Sequence, residues 1–287
     1  MPPVPTQDAS RWIDHDLCAH DLYVEGMARS ADQPGRTDLS GKVFVVTGGN
    51  SGIGLGIAEG IAAVGGSVAI WGRRSDKNDE AVDRLRSLGV EARGYVCDVG
   101  SEEQVIDSMN RTVTDFGRLD GCFANAGRPG NGVPFLDLTL DQWRAVMKIN
   151  LDGVFLTIRE AARRLVEQGE GGSLVLVSST SAIHGAAGNE AYGTSKTALN
   201  GLMRALAVGL ARHRIRVNSL IPGWTITEMA GPAYANDLFR DTTTKRTPVR
   251  RWAEWSEFRE VGAFLADPSI TYHSGQEVVV DGGYTVF

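Results

Sequence analysis

Hydrophobic positions along the chain fall into two alternating kinds of run. Val43–Val46 is apolar on both faces, rich in β-branched residues, and ends in glycines, which reads as a buried strand. Ile53–Val64 then repeats apolar residues at helical spacing until Gly65-Gly66 stops it. The alternation continues through a strand at Ser67–Trp71, a charged helix at Asp79–Leu88 ended by Gly89, and a strand at Gly94–Cys97. Ser101 with Gln104 has capping-box spacing and opens a helix to Phe116, closed by Gly117. A strand at Leu119–Ala124 follows, and Thr139 with Gln142 opens a second box and a long helix to about Gln168. Beyond it come strand Leu174–Val177, helix Tyr192–Arg212, strand Ile215–Ile221, helix Glu254–Leu265 and strand Glu277–Val280.

Apolar strands alternating with helices predict an α/β protein with a mostly parallel, seven-stranded, doubly wound sheet and helices on both faces. No linker or composition break interrupts residues 41–287, so they are expected to form a single domain. Residues 1–40 differ. They open on Pro2, Pro3 and Pro5 and carry Trp12, Ile13, Leu17, Leu22, Tyr23 and Met27 at loosely helical spacing, the pattern of an extension that is partly disordered or one helix. Between Trp224 and Pro248 regular pattern is lost. Met229, Tyr234 and Phe239 lie there among Gly, Pro, Asn and Thr, as in a lid of apolar character.

The 287 residues are 42% hydrophobic and 22% charged, ordinary globular usage. A net charge of −6 without a basic stripe argues against nucleic acid as a partner. No apolar run approaches the ~18–20 residues of a membrane span. The N-terminus lacks a basic start followed by an apolar stretch, so a cytoplasmic protein is expected. Cys18, Cys97 and Cys122 are scattered and odd in number, which fits reduced thiols rather than a zinc site or a disulfide framework.

The first strand runs into Thr47-Gly48-Gly49-Asn50-Ser51-Gly52-Ile53-Gly54, and a helix follows at once. Glycine permits the tight turn and a close backbone approach to a pyrophosphate, while the helix N-terminus offers unpaired N–H groups. The spacing is Thr-Gly-x-x-x-Gly-x-Gly, and in this the chain resembles the compact type of short-chain dehydrogenase/reductase. Further matches follow in order from Leu39 to the C-terminus. Asp98-Val99 is similar to the family's pair beside the adenine ring. Asn125-Ala126-Gly127 resembles its Asn-Ala-Gly loop, with Ala124 where another Asn is usual. Asn150 matches the active-site helix asparagine, and Tyr192-Gly193-Thr194-Ser195-Lys196 the Tyr-x-x-x-Lys motif. Pro222-Gly223, with Thr225 and Thr227, is similar to the loop at the nicotinamide end, and Asp281-Gly282-Gly283 to the C-terminal signature. The resemblance implies a Rossmann fold, a homodimer or homotetramer, and no metal. It also implies a nicotinamide cofactor held by Gly48, Asn50, Ser51, Ile53, Gly54, Asp98, Val99, Asn125, Ala126, Gly127, Tyr192, Lys196, Pro222, Gly223, Thr225 and Thr227.

Four apart on a helix, Tyr192 and Lys196 project from the same face. A free phenol has a pKa of about 10. A neighbouring ammonium, with a positive nicotinamide, favours phenolate, so that Tyr192 can exchange a proton with a carbonyl or alcohol oxygen. The resemblance implies that Lys196 also holds the nicotinamide ribose and that Ser179, thirteen residues before Tyr192, orients the reacting oxygen. It implies that Asn150 bends its helix and holds a water leading from Lys196 to solvent. Ser178 reads as a strand-end residue. His184 is either a substrate-pocket residue or a solvated loop residue, and no Gly-x-Ser-x-Gly elbow accompanies it. Trp252 and Trp255 read as packing or interface residues. The expected activity is NAD(P)-dependent interconversion of a ketone and a secondary alcohol, on a small substrate of apolar character. The alternatives are a non-catalytic cofactor-binding regulator on the same fold, or a β-ketoacyl thioester as the specific substrate class.

In the family a carboxylate at the end of the second strand marks NAD preference, because it binds the ribose hydroxyls and repels a phosphate. Here that place, eighteen residues beyond Gly54, is Gly72, and Arg73 and Arg74 follow. A guanidinium grips a 2′-phosphate through paired, charge-assisted hydrogen bonds. NADP(H) is therefore favoured and NAD(H) possible, with Arg73 the main contact and Arg74 the second. Gly72→Asp is expected to move the preference toward NAD(H). Ser51 stands where some NADP-dependent relatives place a further basic residue.

Overall fold

Five consecutive buried residues, Val43–Thr47, form strand β1 at the centre of a parallel sheet. The computed structural model describes residues 37–130 and 132–287. The helix expected in the N-terminal extension and Cys18 lie outside the described residues. The body begins at Thr37, whose hydroxyl donates to Asp267 Oδ2 at 2.9 Å, and at Leu39, which is wholly buried.

β1 pairs with β2 (Ser67–Gly72) on one side and with β4 (Gly121–Ala124) on the other. β3 (Ala92–Val96) flanks β2, and β5 (Gly172–Val177), β6 (Ile215–Pro222) and β9 (Glu277–Val280) extend the sheet beyond β4. The order is β3-β2-β1-β4-β5-β6-β9, every pairing parallel. Two short strands, β7 (Thr225–Ile226) and β8 (Ala253–Glu254), pair apart from it.

Alternation along each strand sends side chains to opposite faces, so the sheet has two cores. Phe44, Val46, Val68, Ile70, Phe123 and Val175 meet Ile57, Ile61, Leu85 and Leu265 from α1 (Gly52–Ala63), α2 (Ser75–Arg86) and α9 (Arg259–Ala266). Val45, Ala69, Trp71, Cys122, Leu174 and Leu176 meet Met109, Ile158 and Leu199 from α3 (Glu102–Phe116), α5 (Gly153–Gln168) and α6 (Glu190–Gly209). The Trp71 indole is satisfied within this core, donating to Thr112 Oγ1 at 3.1 Å.

Where elements depart from the sequence pattern, polar anchors explain the difference. α2 starts a turn before the expected Asp79 because Asn78 is buried and donates to the carbonyls of Gly72 (3.0 Å) and Tyr95 (3.1 Å), a fixture that hydrophobic spacing does not reveal. Ser101 caps α3 through Gln104 N, but the Gln104 side chain accepts from Asp98 N rather than from Ser101, so the expected box is half formed. Thr139 and Gln142 do form the reciprocal box, opening α4 (Leu140–Met147). The expected single helix to Gln168 is broken by a π-turn at Lys148–Asp152 before α5. The stretch expected to be irregular contains α7 (Gly231–Tyr234) and α8 (Asp237–Arg246); Asn236 caps α8, and threonines mask its periodicity. The expected Glu254–Leu265 helix opens as a 3₁₀ turn at Trp255–Phe258.

α1 and α9 touch backbone to backbone. A Cβ at Gly60 would run into the Arg259 carbonyl, and one at Gly56 into the Trp255 carbonyl. Glu59, buried beside them, is held by Arg84 and by Arg259, whose Nε donates at 2.6 Å. Gly60→Ala must separate the two helices and is expected to destabilise the fold by about 2 kcal/mol or more. The check is urea unfolding, with the midpoint lowered and the m-value unchanged.

Candidate active site

The strand order reverses between β1 and β4, and ligands of open α/β sheets bind at the carboxyl ends of such strands. Both loops leaving these strands are fastened to each other. Thr47 Oγ1 accepts from the N–H of Asn125 (3.0 Å) and of Ala126 (2.9 Å). The Asn125 amide returns to the carbonyls of Thr47 (2.9 Å) and Gly48 (3.3 Å). Gly48 and Gly52 have φ of +63° and +53°, and a Cβ at Gly54 would collide with the Gly48 carbonyl and the Asn125 amide. The Ser51 side chain makes no capping bond, so the first-turn N–H groups of α1 are left for an anion. This cradle fits a cofactor pyrophosphate.

The other expected cofactor residues take mixed places. Asp98 Oδ1 accepts from Gly100 N at 3.0 Å, and Val99 is buried against Gly153. Ile53 packs on the core below α1. At the end of β6, Gly223 donates to Val280 O at 2.9 Å and lies so close to Asp281 that a Cβ would stand 2.6 Å from its Cα. Thr225 Oγ1 donates to Gly223 O at 3.0 Å, and Thr227 reaches the glycine loop, its Cγ2 3.0 Å from where a Cβ of Gly52 would be.

Lys196 is 3% exposed, and its Nζ donates to the Val177 carbonyl at 2.8 Å. The ammonium sits 5.7 Å from the centre of the Tyr192 ring. Ser178 Oγ donates to Lys196 O at 2.8 Å and so binds helix to strand end, whereas the Ser179 hydroxyl faces the Tyr192 phenol. A Cβ on Gly127 would stand 3.4 Å from Asn150 Oδ1 and 3.6 Å from Lys196 Nζ, which brings these three residues together. Asn150 is wholly buried in the π-turn. Its side chain accepts from Arg128 N (2.8 Å) and donates to Arg128 O (3.0 Å) and Ser195 Oγ (3.3 Å). The side-chain amide of Asn150 thus holds the loop after β4.

Burial pushes the Tyr192 phenol above its ordinary pKa, and the facing Ser179 hydroxyl pulls the other way. Among the protein's own groups burial prevails at Tyr192; the lowering by Lys196 is expected together with a positive nicotinamide. Burial in turn pushes Lys196 down to about 8.

A family model described as enoyl-(acyl carrier protein) reductase matches residues 48–285. The 2,5-dichloro-2,5-cyclohexadiene-1,4-diol dehydrogenase of Sphingobium indicum is 35% identical over 251 residues, 87% of this chain and 99% of that protein. A short-chain type dehydrogenase/reductase from Mycobacterium marinum superposes with a TM-score of 0.82 at 34% identity, covering 86% of this chain and 97% of that one. A gluconate 5-dehydrogenase from Burkholderia cenocepacia, in complex with NADP and tartrate, gives a TM-score of 0.82 at 30% identity, with 88% and 98% covered. The chain belongs to the short-chain dehydrogenase/reductase family. It is an NAD(P)-dependent oxidoreductase interconverting alcohol and ketone groups.

Three features of this short-chain dehydrogenase/reductase escaped sequence reading. Trp224, directly after Gly223, stacks on Trp252 at 4.9 Å and meets Phe239 edge-on at 5.0 Å, and Tyr234 meets Trp252 at 5.2 Å. Its position next to Pro222-Gly223 was the available signal. Trp252 is a packing residue, donating to Thr243 Oγ1 at 2.9 Å, and Trp255 carries the guanidinium groups of Arg84 and Arg259 on its face. His184 packs edge-on against Tyr284, and the Nε2 of His184 and Nε1 of Trp224 are buried without a hydrogen-bond partner among the described residues. Second, Gly72 is no vacant carboxylate position. A Cβ there would collide with Asn50 and Asn78, whose side chains are hydrogen-bonded at 2.7 Å, so Gly72→Asp would disrupt this pair rather than simply exchange cofactors. Third, Arg74 is paired with Glu228. Among the described residues no cluster of three His, Cys, Asp or Glu side chains gathers, and no helix is long and apolar enough to cross a membrane.

A Lys buried without a carboxylate opposes folding. That opposition is full below pH 8, where both states are protonated, and fades as pH rises toward 10.5, where the unfolded lysine also loses its proton. Lys196→Met is expected to raise the melting temperature by about 2–8 °C below pH 8, with a shrinking gain above it, while turnover is lost. Calorimetry across pH 6–10 checks the sign.

Proposed function

We propose that Tyr192 is the general acid–base of a ketone reduction or secondary-alcohol oxidation. Ser179 would hydrogen-bond the reacting oxygen and fix it toward the phenol, and Lys196 would hold the nicotinamide ribose. The bound nicotinamide supplies or accepts the hydride at the substrate carbon. The observation that carries this reading is the convergence of Tyr192, Ser179 and the buried Lys196 at the carboxyl end of β5, which only β4 separates from β1 and its glycine cradle. Asn150 acts as a positioning residue through its clamp on the loop at Gly127 and Arg128.

The aromatic group of Trp224, Tyr234, Phe239 and Trp252 supports a substrate with an apolar face. Arg73, exposed and without a hydrogen bond or ion pair to any described residue, supports a preference for NADP(H). Burial of the thiols of Cys97 and Cys122 fits a reducing, cytoplasmic setting.

We further propose that the protein is a homodimer or homotetramer. A groove of about 400 Å³ runs between α5 and α6, lined by Phe155, Ala162, Val166, Leu202, Leu206 and Leu210. Ile158 and Leu165 of α5 face the core, while Phe155 and Val166 turn outward. Such an apolar face suits pairing with its own copy across a two-fold axis.

Tyr192→Phe is expected to lower turnover by about 10²–10⁴-fold. Affinity for NADPH, read by fluorescence titration, should stay within about threefold, since the phenol oxygen serves the proton. Retention of more than about a tenth of the wild-type rate would assign the proton to another group. Phe155→Glu places a charge on the groove and is expected to shift the wild-type oligomer toward monomer, as read by light scattering at micromolar concentration.

A further inference from the structure

Arg73 and Arg74 differ in what surrounds them. Arg74 donates from Nη1 and Nη2 to Glu228 Oε1 (3.0 Å) and Oε2 (2.8 Å), a two-pronged pair between residues 154 positions apart. Arg73 has no such partner among the described residues. Glu228 follows Thr227, which closes on Gly52 of the glycine loop. The segment leaving the nicotinamide end at Gly223 therefore crosses the crevice and is clasped at the adenosine rim.

We propose that Glu228 is a cofactor-selectivity residue, whose carboxylate keeps Arg74 from a 2′-phosphate and so narrows the preference for NADP(H) over NAD(H). The inference rests on the reading of Arg73 and Arg74 as the 2′-phosphate site. A phosphomonoester carries about −1.5 to −2 charges near neutral pH and competes well with a carboxylate for a guanidinium. To use Arg74, however, it must break the clasp, or else bind with Glu228 as a nearby like charge. A ribose bearing only hydroxyls meets neither obstacle and leaves the clasp closed. Both partners are exposed, 47% and 67% by side chain, so the effect is modest and weakened by salt.

The test measures binding of adenosine 2′,5′-bisphosphate and adenosine 5′-monophosphate, which differ only in the 2′-phosphate, by calorimetry on the full chain. Glu228→Gln is expected to tighten the bisphosphate about two- to fivefold at low salt and leave the monophosphate within about 1.5-fold. Adding Arg74→Ala should abolish the gain, and raising the salt to about 0.5 M should shrink it. An unchanged or weakened bisphosphate affinity in Glu228→Gln overturns the role of Glu228. Arg73→Ala and Arg74→Ala separate the two levels. If both leave the ratio of the affinities unchanged, the 2′-phosphate reading fails and this inference with it. If they lower the ratio while Glu228→Gln does not raise it, only the role of Glu228 fails.

Discussion

The hydrogen bonds between Thr47 and Asn125 hold the two central strands together at the point where their order reverses. One hydroxyl accepts two backbone N–H groups, and one amide satisfies two carbonyls. Loops at the ends of parallel strands have no ladder partners left, and each unsatisfied group would add to the cost of burial there. Closing the account with side chains leaves the glycine loop a single course. Gly48 must turn left-handed, and Gly54 must lie against the Gly48 carbonyl with no Cβ between them. The cradle for an anion thus follows from how β1 and β4 are joined. Asn125 serves it from below by shaping the loop.

The same logic runs through the floor proposed to be catalytic. Ser178 fixes the backbone of α6 at Lys196, Lys196 returns to the strand at Val177, and Ser195 Oγ donates to the Tyr192 carbonyl at 2.7 Å while accepting from Asn150. These bonds leave Ser179 with its hydroxyl toward Tyr192. They also carry an ammonium into the interior with one carbonyl for company, a placement that burial opposes. Such a group persists in a fold where its task outweighs its effect on stability. The π-turn at Lys148–Asp152 belongs to the same set, since a π-bulge re-aims one side chain, here Asn150, onto the loop after β4.

How much of this could be read beforehand follows from the range of each interaction. Strands such as Val43–Thr47 were legible because their burial is written in their own residues, and the glycine loop because it lies wholly between one strand and one helix. The Tyr192 and Lys196 pair was legible for the same reason, being four apart on one helix. Asn78 under Gly72 was not, because a buried amide breaks the apolar rhythm that marks a helix start. Nor was the half box at Ser101, where Gln104 serves Asp98 instead of its expected partner. Helix α8 escaped because its hydroxyls bond back to its own carbonyls, as Thr243 does to Phe239 O at 2.9 Å, leaving a polar face that reads as loop. The contact of Arg74 with Glu228 joins two loops whose meeting only the finished fold brings about.

The strand-end floor and the aromatic roof proposed for the site are built on different terms. The floor consists of strand ends and the first turns of α1 and α6, anchored by the hydrogen bonds above, and it admits little variation. The roof is Trp224, Tyr234, Phe239 and Trp252, held mainly by ring-on-ring packing and by the bond from Trp252 to Thr243. Packed rings tolerate exchange for other shapes more readily than a satisfied polar network does. Relatives that share the fold at about one-third identity bear names as different as a chlorinated cyclohexadiene-diol dehydrogenase and a gluconate 5-dehydrogenase. A rigid polar network beside a more exchangeable aromatic group is a physical arrangement under which one fold can serve different substrates.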